Sequence, residues 1–177
     1  MKKSEMIQKQ IEATEREYEE ACSRMVNDQP GGVCSPNYEV NWNNFYNTCG
    51  RELNRKIDAL KWELRKAQYL EMEVGDGATI RLYSDRHACT VIKRTAKTLT
   101  VQQDKATLDP NFKPEWVEGG FAGHCTNQDQ QTYTYERDKK GSITVFHWSE
   151  KNGRWQAGSD GTITLGIGRH EFYDYNF

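Results

Sequence analysis

The hydrophobic period of the chain changes at "EVGDGAT", residues 73–79, and this change limits the available folds more than any other feature. Before it, the less polar residues recur every three or four positions, which is typical of a coiled-coil helix. After it, apolar and polar residues alternate, as they do in half-buried strands. We therefore predict an α+β protein with a helical arm over residues 1–73 and an antiparallel β domain over residues 74–177.

Two heptad seams predict that the arm is an antiparallel helical hairpin. Helix breakers fill "NDQPGGVCSPNYEV", residues 27–40, between the seams. A bend near residue 34 places Ile11 opposite Ile57. Seams of this kind also form between chains, so a monomer and a dimer joined through the arm are both open. The first seam consists of Ile7, Ile11, Thr14, Tyr18, Ala21 and Met25, and the second of Tyr46, Cys49, Leu53, Ile57, Leu60, Leu64 and Ala67.

Short alternating segments separated by turns predict the architecture of the β domain. Three of them, "ATIRLYS", "HACTVIKR" and "KTLTVQQ", form an antiparallel meander. An irregular segment over residues 104–130 follows. Four more strands come after it, "QTYTYER", "SITVFHW", "GRWQA" and "TITLGI". Six or seven such strands favour a strongly bent sheet or an SH3-like barrel.

Composition and cysteine usage narrow the class of protein. The net charge is −2 and neither half is strongly basic, so bulk charge does not indicate a nucleic-acid module. No apolar run approaches the roughly 18 residues of a membrane span, and the charged opening "MKKSEMIQKQ" is unlike a signal peptide. Five cysteines without CxxC spacing argue against a disulfide scaffold and a paired zinc knuckle. We expect a cytoplasmic protein with reduced thiols, no membrane contact and no cofactor.

The stretch "YSDRHACTV", residues 83–91, carries the side chains of a hydrolase or zinc site. We interpret Asp85 and Arg86 as turn residues between two strands, followed by His87 and Cys89 on the second strand. Residues two apart on a strand hold their side chains roughly 6–7 Å apart, so direct pairing of His87 with Cys89 as base and nucleophile is disfavoured.

A second stretch, "GGFAGHCTN" over residues 119–127, could complete a zinc set. His124 and Cys125 would join His87 and Cys89, but the spacing is unlike known zinc motifs. We favour a structural role, with Phe121 as a plug of the barrel and Cys125 as a small buried side chain. A small metal-dependent hydrolase that uses these His and Cys residues is the alternative.

Basic and aromatic residues on the first three strands allow a nucleic-acid interface. On a small barrel such residues track a phosphate backbone and stack bases. Outward charges also protect a sheet from edge pairing, which is the structural explanation for the same residues. The candidates for nucleic-acid contact are Arg81, Tyr83, Lys93, Arg94 and Lys97.

The aromatic ending "GRHEFYDYNF", residues 168–177, predicts a docked terminus, because a solvated tail is usually polar. Aromatic and Arg side chains dominate the energetics of protein interfaces. We therefore predict a partner-binding surface where this ending meets the turn at residues 84–86 or the loop at residues 123–125. Its residues are Arg169, His170, Phe172, Tyr173, Tyr175, Asp85 and Arg86.

Four segments carry a resemblance to known proteins: "VGDGATIRLYSDRHACTVI", "QQDKATL", "GGFAGHCTNQDQQTYTY" and "GRHEFYDYNF". They resemble a group of small, uncharacterised proteins encoded by bacteriophages and prophages, and the likeness covers residues 74–177. The resemblance implies an accessory protein that acts in the cytoplasm of a bacterial host, a setting shared by inhibitors of host defence such as anti-CRISPR proteins. We expect a non-enzymatic protein that binds a host protein or nucleoprotein complex.

Overall fold

The structure is a computed structural model, and it describes residues 1–27, 38–119 and 122–176. The chain divides into two compact units, Met1–Leu70 and Glu71–Phe177. The first is helical and the second is built around a closed antiparallel barrel, so the predicted α+β fold is confirmed. Among the described residues, no helix is both long enough and apolar enough to cross a membrane.

The helical unit pairs two long helices through the apolar seams. Ile7, Ile11 and Ala67 are buried together, and Leu60 and Leu64 pack against them. The predicted bend near residue 34 lies outside the described residues. The helices are α1 (Lys3–Asn27), α2 (Tyr38–Phe45) and α3 (Arg51–Leu70), with a π-helical turn at Tyr46–Gly50 between the last two.

The register of the helical pair differs from the predicted one. Ile11 lies in the cluster with Leu60 and Leu64, and Lys61 Nζ lies 2.9 Å from Glu15 Oε1. Ile11 is therefore displaced by about two turns along α3 from its predicted partner Ile57. The prediction took the axial alignment from a bend near residue 34, but a seam with a seven-residue period fits equally well after a shift of seven residues, which is about two turns.

Six strands close the barrel in the order β1-β10-β9-β8-β3-β2, with every pair antiparallel. Leu99, Val101, Phe146, Trp155 and Leu165 fill its interior and are at most 1% exposed. The sequence alternation that predicted the strands is therefore the alternation between core and outer face. The strands are β1 (Gly77–Arg81), β2 (Arg86–Arg94), β3 (Thr98–Gln103), β8 (Ile143–Ser149), β9 (Arg154–Ala157) and β10 (Ile163–Ile167).

The segment between β3 and β8 is more regular than predicted. Residues 104–130 were expected to be irregular, but they contain three short strands and a 3₁₀ turn, Gln128–Gln130. Four-residue strands interrupted by Pro and Gly give too little alternation to be recognised in the sequence. The strands form two ribbons, β4 (Lys105–Leu108) with β7 (Tyr133–Glu136), and β5 (Trp116–Gly119) with β6 (Ala122–Cys125). Phe121, the predicted plug, lies outside the described residues.

Candidate partner-binding surface

Residues 168–176, called the C-terminal segment from here on, follow β10 and lie along the start of β2. Phe172 and Arg86 exchange two backbone hydrogen bonds of 3.0 Å each. The Gly168 amide donates to the Gly77 carbonyl at 3.1 Å, and the Thr79 hydroxyl donates to the Gly168 carbonyl at 2.6 Å. The predicted docking of the terminus is therefore confirmed for the described residues.

The outer face of β1 and β2 is suited to being covered. Thr79, Ala88 and Thr90 point away from the barrel interior, yet they are at most 2% exposed. Small side chains there let the segments before and after the barrel strands approach closely. Gly77 illustrates the fit, because a Cβ at that position would lie 2.8 Å from Arg169 Cγ.

A buried ion pair anchors the beginning of the C-terminal segment. Arg169 Nε lies 2.7 Å from Asp104 Oδ2, and the Asp104 side chain is 1% exposed. The Thr90 hydroxyl contacts both carboxylate oxygens and accepts a 2.8 Å hydrogen bond from Arg169 Nη2. Arg169 therefore has a structural partner inside the protein and is not fully available to an external one.

Glu171 connects the C-terminal segment to β2. One carboxylate oxygen lies 3.0 Å from His87 Nδ1, and the other accepts a 2.6 Å hydrogen bond from the Ala88 amide. The hydrogen bond to Glu171 is the main cause that raises the pKa of His87 above its usual value. His87 is thus held within the fold by its contact with Glu171, which is an ion pair when the imidazole is protonated.

His170 and Phe172 hold the Arg86 guanidinium from two sides. Arg86 Nη1 lies 3.0 Å from His170 Nε2, and the guanidinium carbon lies 5.4 Å from the centroid of the Phe172 ring. Burial lowers the pKa of His170, and the charges of Arg86 and Arg81 lower it further. The neutral imidazole can accept the Arg86 hydrogen bond.

Four aromatic rings meet at the end of the C-terminal segment, and we call Phe112, Trp116, Tyr173 and Tyr175 the aromatic cluster. The Tyr175 ring lies 6.2 Å from Phe112, 6.1 Å from Trp116 and 5.0 Å from Tyr173, measured between centroids. Trp116 is 52% exposed and Tyr173 is 55% exposed. Folding of this chain therefore leaves about half of two large aromatic side chains in contact with water.

Polar side chains fix the backbone beneath the aromatic cluster. The Gln131 amide group accepts from the Tyr173 amide at 3.2 Å and donates to the Tyr173 carbonyl at 2.8 Å. The Asn176 side chain likewise accepts from the Cys125 amide at 2.6 Å and donates to the Cys125 carbonyl at 3.1 Å. Asp85 Oδ1 accepts from the Asp174 amide at 2.9 Å. The cluster is thus presented on a hydrogen-bonded framework.

The sequence identified only half of this surface. Tyr173 and Tyr175 were predicted from the aromatic ending, but Phe112 and Trp116 were missed because they lie in the segment expected to be irregular. The only signal for Trp116 was the apolar pair in "EWVEG", shortly after Pro114, and Phe112 had none. Gln131 had no signal, since a single Gln is an ordinary loop residue.

The four candidate zinc ligands are not gathered into one site. Cys89 is fully buried, and burial raises the pKa of its thiol to about 12, so it is protonated at neutral pH. His124 is exposed on β6, and the Cys125 thiol lies 3.5 Å from Asn127 Oδ1. Within residues 1–27, 38–119 and 122–176, no group of three or more His, Cys, Asp or Glu side chains is arranged to hold a metal.

The candidate nucleic-acid residues fall into two groups instead of one. Arg81 pairs with Arg86 at the start of β2, and Tyr83 is 92% exposed in the adjoining turn. Lys93 and Arg94 lie at the far end of β2, about 26 Å away at roughly 3.3 Å per residue. Arg94 Nη1 donates to the Met72 carbonyl at 2.6 Å. Lys97 lies in the turn that follows β2.

Comparison with protein-family models, curated proteins and solved structures finds no match for this chain. The fold and the surface define it as an α+β protein with a closed six-stranded barrel and a docked, aromatic C-terminal segment. Its function is therefore argued from the geometry of that surface.

The two histidines of the C-terminal contact should oppose each other in the pH dependence of stability. The pKa of His87 is raised above 6.5, so its stabilisation is present at pH below about 6.5 and lost as pH rises through the folded pKa. The pKa of His170 is lowered, so its effect has the opposite sign, and stability falls as pH drops below about 6.5.

We expect this opposition to be visible in single variants. Between about pH 8 and about pH 6, where carboxylates do not yet titrate, acidification should raise the melting temperature of His170→Gln and lower that of His87→Gln. Calorimetry in buffers of constant ionic strength measures both slopes. Parallel slopes in the two variants would contradict the opposite environments of the histidines.

Proposed function

We propose that this chain is a non-enzymatic binding protein whose aromatic cluster contacts a protein of a bacterial host. The observation that supports this proposal most strongly is the contact of four aromatic rings, two of which are about half exposed. Tyr and Trp are enriched at the energetic centres of protein interfaces, because they bury a large area and few rotamers are lost. An exposed aromatic group of this kind is the surface that a partner would desolvate.

The framework beneath the cluster supports the same proposal. Gln131 and Asp85 hold the backbone of the C-terminal segment through side-chain hydrogen bonds, and Asn176 of that segment binds the Cys125 backbone. A surface that is already ordered loses less conformational entropy when it binds. Polar groups around the rings provide the rim that surrounds an apolar interface centre.

The biological setting is part of the proposal. The resemblance of residues 74–177 to phage and prophage accessory proteins supports action in the cytoplasm of a bacterium. A subunit of a host-defence nucleoprotein complex, of the kind that anti-CRISPR proteins inhibit, is the partner that this setting favours. The helical unit, either alone or joined to a second copy, would then extend the contact.

The test compares capture of bacterial proteins by two double variants. Trp116→Ser with Tyr173→Ser removes the exposed rings of the cluster. Ile143→Ser with Val145→Ser removes exposed apolar side chains of β8, which are 60% and 46% exposed, and serves as the matched control. Each protein is immobilised and incubated with a nuclease-treated bacterial lysate, and bound proteins are quantified by mass spectrometry.

We expect one specific host protein on wild type and on the β8 control, with its loss from the aromatic variant. With that protein purified, the aromatic variant should bind at least about 30-fold more weakly, as for loss of one strong interface residue. A partner that binds all three proteins equally, or that is lost only from the β8 variant, would place the interface elsewhere. Melting of both variants close to wild type excludes unfolding as the cause.

A further inference from the structure

Two arginines face each other on neighbouring strands at the start of β2. Arg81 and Arg86 are direct cross-strand partners. Both backbone hydrogen bonds of Arg86 go to Phe172, so the pair with Arg81 is of the non-hydrogen-bonded kind, in which side chains lie closest. Within the described part of the chain, neither guanidinium forms an ion pair with a carboxylate.

Like charges in this arrangement destabilise a sheet. The nearby carboxylates of Glu171 and Asp85 form their hydrogen bonds with other groups and not with either guanidinium. Glu171 binds His87 and the Ala88 amide, and Asp85 accepts from the Asp174 amide. An anion that binds between the two guanidinium groups would relieve their mutual repulsion directly.

The surroundings hold both guanidinium groups in place. A Cβ at Gly166 would lie 2.7 Å from Arg81 Nε and 3.0 Å from its Nη2, so the Arg81 guanidinium packs directly over the Gly166 backbone in β10. Arg86 is held between the Phe172 ring and His170 Nε2. The His170 imidazole accepts a hydrogen bond from Arg86 and thereby orients its guanidinium, and it adds a polar group to the surface. Ordered Arg side chains favour recognition of a planar or tetrahedral oxyanion.

We propose that Arg81, Arg86 and His170 form a binding site for a backbone phosphate of a single-stranded nucleic acid. A nearby exposed aromatic ring favours a nucleic-acid strand over a free phosphate ion as the ligand. Tyr83 is 92% exposed and lies in the turn directly after Arg81. Small closed barrels bind single strands by combining phosphate contacts from Arg with stacking of bases on aromatic rings. The site is distinct from the aromatic cluster, and the inference does not depend on the proposed protein partner.

Fluorescence anisotropy with a labelled oligothymidine of about 12 nucleotides tests the site. Arg81→Gln with Arg86→Gln should weaken binding by about tenfold or more and reduce the slope of log affinity against log salt by about 0.7, the value for one phosphate of a single strand. Lys151→Gln is a control that removes one positive charge from the turn between β8 and β9, at the other end of the barrel. It should leave affinity nearly unchanged, as should Lys93→Gln with Lys97→Gln.

Stability separates a binding role from a structural one. Removal of the arginines relieves repulsion but also removes the contacts of Arg86 with His170 and Phe172, so the double Gln variant should melt close to the temperature of wild type. Tyr83→Ser should weaken binding of the oligonucleotide by about fivefold or more, as expected for loss of one stacked base. The Trp116→Ser, Tyr173→Ser variant should still bind the strand, which keeps this test separate from that of the protein partner.

Three results would overturn the proposal. One is equal oligonucleotide binding by wild type and the double Gln variant. A second is loss of affinity in the Lys93 and Lys97 variant alone, which would move the site to the far end of β2. The third is calorimetric binding of inorganic phosphate that depends on the arginines, with no binding of the oligonucleotide. That outcome would assign the site to a free anion.

Discussion

Replacing Arg169 with methionine will lower the free energy of unfolding of the β unit by about 3 kcal/mol. The substitution keeps much of the aliphatic volume and removes the charge. It leaves the Asp104 carboxylate, 1% exposed, without the guanidinium 2.7 Å away, and it removes a donor from Thr90. Since the Arg169 side chain is itself one-third exposed, we expect the lower end of the range for broken buried pairs.

Arg137 provides the matched control for this prediction. Its Nε lies 3.8 Å from the other oxygen of the same carboxylate, and its side chain is 50% exposed. Arg137→Met should lower the free energy of unfolding by less than about 1 kcal/mol. Urea denaturation followed by fluorescence, to which the buried Trp155 contributes, measures both changes. Equal losses in the two variants would show that Arg169 does not anchor the C-terminal segment.

The change of hydrophobic period predicted the fold class because it depends only on local alternation. Alternate residues of each barrel strand point into the core, so Ile80, Leu99 and Val101 could be assigned to one face from the sequence. The alternation of apolar and polar residues did not predict whether the sheet closes into a barrel. Closure requires β1 to pair with β10, and residues so far apart in sequence leave no local pattern.

The helical register was wrong for a similar reason. A heptad seam specifies which face of a helix is buried, but the axial alignment depends on the connection between the helices. The π-helical turn is a further interruption that has no clear signature apart from Gly50. There, a Cβ would lie 2.9 Å from the Phe45 ring.

The candidate surface was predicted in part. Aromatic content alone indicated that Tyr173 and Tyr175 belong to a docked terminus, since solvated tails are seldom aromatic. The anchor of that terminus could not be predicted, because Asp104 and Arg169 are 65 positions apart and each is an ordinary residue in its own segment. The split of the basic residues between the two ends of β2 likewise depends on strand length and pairing, which sequence patterns define poorly.

Deletion of residues 170–177 should lower the melting temperature of the β unit by about 10 °C, since 1 kcal/mol corresponds to roughly 4–8 °C in a domain of this size. The deletion removes the Phe172 bridge to Arg86 and the Glu171 contacts with His87 and the Ala88 amide. It also removes Tyr173 and Tyr175 from the aromatic cluster. Binding of the host protein should then be lost, even well below the melting temperature.

Calorimetry of the truncated protein, together with its affinity for the purified partner, tests most directly whether the C-terminal segment both stabilises the β unit and carries the binding surface. We predict a lower melting temperature and no measurable binding, while the Trp116→Ser, Tyr173→Ser variant loses binding without the loss of stability. A truncated protein that melts within about 2 °C of wild type, less than the shift for 1 kcal/mol, and still binds its partner would contradict both parts.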